Sequence, residues 1–197
     1  MRIIAFIFAS VILSIVIAST GCESLYEEFT ADRIYMFNAG THDGNLKGRA
    51  GADSLCETKY NTSFSNLEAN NIRAFISVSS NDEIRDMPEN YGVPEDVPVE
   101  SADGRRIGND WADILDGSIQ QSLYAAGILP GAISNWWSGA ASSGNGSISG
   151  TRHCLNWTDS TAGPDSYFGI ASDTDAFWIS NSFASCNNNL YILCIAW

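Results

Sequence analysis

The hydrophobic pattern separates an apolar start from a longer mixed region. Residues 3–18 run apolar without a charge after Arg2, and small residues follow. A short basic start, an apolar stretch and small residues are typical of a secretory signal peptide. Because the stretch is shorter than the roughly 20 residues that a membrane-spanning helix needs, we expect cleavage rather than a permanent span.

Three regular elements are predicted in the first half of the mixed region. Aromatic and branched residues in 33–38 indicate a strand, and the apolar alternation in 72–80 indicates another. Between them, 49–60 places Ala52, Leu55, Cys56 and Tyr60 on one face at helical spacing. We therefore expect a helix there, with Cys56 pointing inward.

The middle of the chain is predicted to be mostly irregular. Residues 86–108 carry three prolines and six acidic residues, which is typical of exposed loop. Residues 109–117 then offer an N-cap at Asn109 or Asp110, apolar residues on one side and Gly117 as a stop. That pattern predicts a short helix with Trp111 in the core.

The last third is predicted to be rich in β-structure. Short apolar runs alternate there with Gly, Ser, Asn and Asp in the stretches SNWWSG, SYFGIAS, AFWISN and LYILCIAW. The last of these, residues 190–197, shows little polar alternation, so we expect a strand buried on both faces. Helices and strands together predict an α+β fold with two short helices around a mixed, mostly antiparallel sheet and many loops.

The net negative charge of the chain disfavours several classes of partner. The chain has a formal net charge of −13, and removal of the signal peptide takes away Arg2 and no acidic residue. Nucleic acid is therefore not expected as a partner, and heparin-like polyanions are disfavoured for the same reason. Arg105 and Arg106 form an isolated basic pair within an acidic stretch, which we interpret as local charge balance.

The five cysteines fall into two groups. Secretion places Cys56, Cys154, Cys186 and Cys194 in a compartment that permits disulfides, and four cysteines allow three pairings. Cys22 is the fifth cysteine and is not assigned to a disulfide. The stretch Ser19-Thr20-Gly21-Cys22 resembles a bacterial lipobox, although Ser19 stands where leucine is usual. That resemblance implies lipidation of Cys22, with ordinary cleavage and a free thiol as the alternative.

The motifs of the mixed region resemble the endostatin-like branch of the C-type lectin-like fold. The likeness runs over about residues 32–196 and is carried, in order, by GNLKGRAGADSLC, IRAFIS, DWADILDG, NWWSG, HCLNWT and ASCNNNLYILCI. Bacterial lipoproteins with such a domain are similar to the same degree, and the lipobox favours that group. The resemblance implies nested disulfides, Cys56 with Cys194 and Cys154 with Cys186.

Neither a metal nor a catalytic centre is predicted. The chain has only His42 and His153, so the zinc site of mammalian endostatins is not expected here. Asp173 and Asp175, with Asp165 nearby, are candidate Ca²⁺ ligands, but the pattern favours a solvated acidic turn. We expect Cys154 to form a disulfide rather than a catalytic pair with His153, and hence no enzyme activity and no cofactor.

Two adjacent tryptophans are the candidate ligand-binding residues. Neighbours on a strand point to opposite faces, so one of Trp136 and Trp137 is expected to be exposed, beside a glycine- and serine-rich loop at 139–150. Loops on a folded scaffold often carry binding.

These expectations give a division of the chain and a function. Residues 1–21 are the signal peptide, 22–31 a tether and 32–197 one domain. We expect an extracytoplasmic binding module that the lipid on Cys22 anchors in the bacterial envelope, at the outer membrane or cell surface. The resemblance to bacterial endostatin-like lipoproteins implies extracellular-matrix or serum proteins as its partners. A glycan-binding lectin and a structural envelope lipoprotein are the alternatives.

Overall fold

A computed structural model describes residues 31–141, 144 and 152–197. The predicted signal peptide, Cys22, most of the tether and most of loop 139–150 lie outside the described residues. Within the described part of the chain, no helix has the length and apolar character needed to cross a bilayer.

The described residues form an α+β fold around one mixed sheet. Its eight strands are β1 (Ile34–His42), β2 (Ile72–Ala74), β3 (Val99–Ser101), β4 (Arg106–Gly108), β5 (Asn135–Trp137), β6 (Asp165–Ile170), β7 (Ser182–Ser185) and β8 (Leu190–Ala196). Their order is β4-β3-β1-β8-β5-β6-β7, and β2 also pairs with β8. The pairings β1–β3 and β5–β8 are parallel, and the other pairings are antiparallel. The predicted α+β class and mixed sheet are confirmed.

Strand β8 lies at the centre of this sheet, as predicted. Its residues Ile192–Ala196 are completely buried. Leu193 and Ile195 pack in one hydrophobic core, whereas Ile192, Cys194 and Ala196 pack in another. The strand lacks polar alternation because each face of the sheet is covered by its own core.

Helix α1 (Gly48–Ser63) covers one of these faces. It buries Ala52, Asp53, Cys56 and Tyr60 on one side, which confirms the helix predicted at 49–60. The second helix, α2 (Met87–Tyr91), is only five residues long. 3₁₀ turns occur at Ile84–Asp86, directly before α2, and at Asp113–Leu115 and Ala176–Trp178. The short helix predicted at 109–117 is thus a single 3₁₀ turn, and AFWISN is a turn rather than a strand.

The prediction for 86–108 is largely wrong. This segment contains α2, β3 and β4, and Val99 and Ile107 are completely buried. Its prolines did not prevent regular structure because they lie where elements start: Pro88 is in the first turn of α2, and Pro98 precedes β3. The Pro98 carbonyl still accepts a hydrogen bond from the Ile34 amide, at 2.8 Å.

Two disulfides close the fold. Cys56 in α1 is bonded to Cys194 in β8, and Cys154 is bonded to Cys186. These are the pairs that the resemblance implies. Cys154 opens a turn, Cys154–Trp157, in which all four residues have positive φ between 49° and 61°. All four cysteines lie in the core beneath α1.

Candidate functional surface

The two candidate tryptophans are not exposed, so the prediction of a surface tryptophan at this position is wrong. Trp136 and Trp137 are both completely buried. They do point to opposite faces of β5, but Trp136 enters one core and Trp137 the other. Strand β5 is an inner strand between β8 and β6, and both faces of the sheet are covered at this point. Neither indole is available to a ligand.

The acidic candidates serve a turn. One Asp175 carboxylate oxygen accepts a hydrogen bond from the Phe177 amide at 3.0 Å, and Asp173 accepts one from the Ser172 hydroxyl at 2.9 Å. Asp165 lies 4.0 Å from the Arg152 guanidinium, on another element. No group of three or more His, Cys, Asp or Glu in the described residues is arranged to hold a metal ion.

The other residues that the sequence singled out have structural partners. The Cys154 sulfur is bonded to Cys186, so it offers no thiolate to His153. His153 accepts a hydrogen bond from the Asn156 amide at 2.9 Å. Arg106 forms an ion pair with Glu100 at 3.1 Å, and Arg105 donates to the Ala125 carbonyl at 2.7 Å.

The large apolar side chains that do reach the surface are concentrated on loops. Tyr124 is 49% exposed, Ile133 86% and Phe177 50%. We call these three residues the apolar loop surface. Two further exposed apolar residues, Leu155 and Phe183, lie on other elements. Exposure of a large branched side chain such as Ile133 carries no folding benefit, and contiguous exposed apolar area marks interaction sites.

Backbone hydrogen bonds tie the three loops of this surface together. The Tyr124 amide donates to the Ala171 carbonyl, and the Ala171 amide donates to the Ser134 carbonyl, both at 2.9 Å. Residue 171 therefore joins the loop of Tyr124 to the loop of Ile133. The Ile119 amide donates to the Thr174 carbonyl at 2.7 Å, in the loop that continues to Phe177.

Buried side chains hold these loops from beneath. Leu123, Ala171 and Trp178 are neighbours of the exposed residues or of their anchor points, and each is at most 1% exposed. The Trp136 indole donates a hydrogen bond of 2.8 Å to the Trp178 carbonyl, and so fixes the turn that presents Phe177. A surface supported in this way is preorganised, because little conformational freedom is left to lose on binding.

The charged residues in these loops are acidic. Residues 107–134 and 171–178 contain no lysine, arginine or histidine. They contain Asp116, Asp173 and Asp175, none of which belongs to an ion pair within the described residues. Arg105, which lies outside these loops, donates a hydrogen bond to the Ala125 carbonyl.

Sequence reasoning missed this surface. It favoured the tryptophans because aromatic residues are common in interfaces, but tryptophan is equally common in small β-rich cores. The available signal was Ile133, a branched apolar residue in the turn sequence Pro130-Gly131-Ala132-Ile133-Ser134. Nothing in that turn predicts burial.

A scan of the chain against protein-family models finds no matching family, and a search of curated proteins finds no matching protein. The likeness to the endostatin-like branch therefore rests on the motifs of the chain. What the geometry defines is a class: an α+β domain with a mixed sheet, two disulfides and an exposed apolar loop surface.

Proposed function

We propose that this protein is a lipid-anchored, extracytoplasmic binding module with an endostatin-like, C-type lectin-like head. It binds an extracellular-matrix or serum glycoprotein through the apolar loop surface and catalyses no reaction. The observation that carries the binding role is the 86% exposure of Ile133, together with the exposure of Tyr124 and Phe177 on loops that are hydrogen-bonded to one another.

The anchoring role is supported by the sequence. The apolar stretch 3–18 and the lipobox-like Ser19-Thr20-Gly21-Cys22 favour export and lipidation of Cys22. Two or more acyl chains give stable membrane attachment, whereas one chain gives only marginal attachment. A tether of about ten residues spans at most about 35 Å when fully extended, so the head stays close to the bilayer.

The binding proposal is tested with the full-length lipidated protein, purified in mild detergent, on immobilised matrix and serum glycoproteins. We expect saturable binding to at least one of them and a loss of about tenfold or more for Ile133→Ser, which corresponds to about 1.4 kcal/mol. Leu155→Ser is the matched control, because Leu155 is also an exposed apolar residue, at 51%, but lies on another element. No saturable binding, or equal binding by wild type and Ile133→Ser, would overturn the proposal.

The two alternatives give different results in the same assay. A lectin loses binding when the partner is enzymatically deglycosylated or when free sugar competes. A structural envelope protein binds no partner although it is correctly displayed. Metabolic labelling with a fatty acid, compared between wild type and Cys22→Ser, tests the anchor independently of binding.

A further inference from the structure

We infer that the apolar loop surface takes a basic, apolar polypeptide segment of its protein partner. This inference rests on the proposed binding function and names the chemistry of the partner. It depends on two properties of the same loops, their exposed apolar side chains and their uncompensated negative charge.

The negative charge comes from carboxylates that are fixed in place but not neutralised. Asp116 accepts hydrogen bonds from the Ser118 amide and hydroxyl, both at 3.0 Å. Asp173 and Asp175 accept from Ser172 and from the Phe177 amide. All these donors are neutral groups, and they orient the carboxylates without cancelling their charge.

The charged residues on these loops are all acidic. Some acidic residues elsewhere have arginine partners: Asp32 and Glu100 with Arg33, Asp82 with Arg49, and Asp165 with Arg152. Others, such as Asp43, Asp96 and Asp159, form no ion pair within the described residues. Segments 107–134 and 171–178 contain no lysine, arginine or histidine, and Arg105, which contacts the Ala125 carbonyl, forms no ion pair with their aspartates within the described residues. A cationic segment that docks here therefore gains attraction at its rim without displacing an internal ion pair.

The exposed apolar side chains set a second requirement for the partner segment. Ile133, Tyr124 and Phe177 already expose apolar area, and contact with apolar side chains of a partner removes that area from water. A basic segment without apolar residues leaves Ile133 exposed, and an acidic apolar segment meets like charge. An anionic bilayer or a polyanion is repelled by the same carboxylates. A segment that carries both Lys or Arg and branched or aromatic residues satisfies both conditions.

The test uses defined peptides as probes and the full-length lipidated protein in neutral detergent. The probe is a fluorescent peptide of about twelve residues in which lysine and leucine alternate. Matched peptides replace every lysine by glutamate or every leucine by serine. We expect the Lys/Leu peptide to bind at least tenfold more tightly than either matched peptide, and its affinity to fall as NaCl rises from about 50 to about 300 mM.

Two sets of variants locate the binding site. Ile133→Ser is expected to weaken the Lys/Leu peptide about tenfold. Asp116→Asn, Asp173→Asn and Asp175→Asn together are expected to weaken it and to reduce the salt dependence, while each asparagine keeps an acceptor oxygen for the existing hydrogen bond. The matched control, Asp43→Asn, Asp96→Asn and Asp159→Asn together, changes the net charge equally at positions outside these loops and is expected to leave affinity unchanged.

Equal affinity for the Lys/Leu and Glu/Leu peptides, or an equal loss of affinity in both triple variants, would overturn the inference. Binding that appears only with anionic vesicles would overturn it as well and would assign the surface to a membrane. The proposed binding function is tested separately from this inference. If the protein binds a glycoprotein through Ile133 but does not prefer basic peptides, only this inference is overturned.

Discussion

Trp136 and Trp137 are neighbours in β5, yet each is fully buried in a different hydrophobic core on its own side of the sheet. The Trp136 indole donates to the Trp178 carbonyl at 2.8 Å, and the Trp137 indole donates to the His42 carbonyl at 2.9 Å. The pair therefore joins both layers of the domain through one strand. Its role is to hold the fold and, through Trp178, the turn that carries Phe177.

Truncation of either tryptophan is expected to be severe. Trp136→Ala and Trp137→Ala should each lower the free energy of unfolding by about 3–5 kcal/mol, because each leaves a large cavity. Ile133→Ser, at a highly exposed position, should change it by less than about 0.5 kcal/mol. Urea denaturation followed by far-UV circular dichroism measures all three. An effect below about 1 kcal/mol for either tryptophan would contradict its burial.

The sequence was most informative where one physical requirement dominates. In β8 the apolar run was long enough to require burial on both faces, and α1 showed a clear helical face around Cys56. Both predictions are confirmed. The class of fold followed from these elements, because helices and short strands in this arrangement favour an α+β domain.

The sequence was least informative where local pattern and tertiary packing disagree. Residues 99–101 look like loop but form a buried strand, because β1 offers a parallel edge to pair with. One of Trp136 and Trp137 was expected to be exposed because the alternation of a strand does not reveal whether a second core covers its outer face. The apolar loop surface depends on hydrogen bonds between residues far apart in sequence, such as Tyr124 and Ala171, which no local pattern encodes.

The two disulfides are expected to differ in their contribution. Cys56–Cys194 joins residues 138 apart, and Cys154–Cys186 joins residues 32 apart. In the chain-entropy model the first stabilises by about 5 kcal/mol and the second by about 4 kcal/mol. Paired alanine variants, Cys56→Ala with Cys194→Ala and Cys154→Ala with Cys186→Ala, compared by thermal denaturation, measure the difference. A larger loss for the second pair would show that strain or local packing outweighs loop entropy.

Gly139 is expected to tolerate no side chain. Its φ is +62°, and a β-carbon there would overlap the Ser77 carbonyl oxygen and come within 2.8 Å of the Trp157 ring. Gly139→Ala should cost about 2–5 kcal/mol, since left-handed backbone strain adds to overpacking. Gly92→Ala is the matched control: its φ is +71°, nothing lies within 4 Å, and only about 1–2 kcal/mol of backbone strain is expected. Equal costs for the two variants would exclude the proposed overlap.

Asp53 is expected to make stability depend on pH. Burial raises the pKa of this carboxyl above its ordinary value of 3.8, against the hydrogen bond from the Ala74 amide and the charges of Arg49 and Arg73. The folded state therefore binds this proton more tightly than the unfolded state does. The contribution of Asp53 to the free energy of unfolding should fall as pH rises from about 3.8 through the folded pKa, and stay constant above it.

The variant Asp53→Asn isolates that contribution. Asparagine keeps an oxygen to accept from Ala74 and carries no charge, so its stability at pH 7 should equal or exceed that of wild type. The difference should vanish below pH of about 3.8, where wild-type Asp53 is protonated in both states. Urea titrations at several pH values measure both curves. A variant less stable than wild type at pH 7, with a gap that closes in acid, would show that the arginine partners outweigh burial.

The Asp175 carboxylate is expected to stabilise the fold, whereas the Asp173 carboxylate is expected to be dispensable for stability. Asp175 begins the 3₁₀ turn Ala176–Trp178 and accepts from the Phe177 amide, so Asp175→Ala should cost about 1 kcal/mol while Asp175→Asn costs little. Asp173 accepts only from its neighbour Ser172, so Asp173→Ala should change stability by less than about 0.5 kcal/mol. Melting temperatures of the three variants, measured with and without millimolar Ca²⁺, test the assignment. Since a bound ion stabilises the folded state, a rise in the melting temperature of wild type with Ca²⁺ that both alanine variants lose would make this turn a calcium site instead of a capped acidic turn.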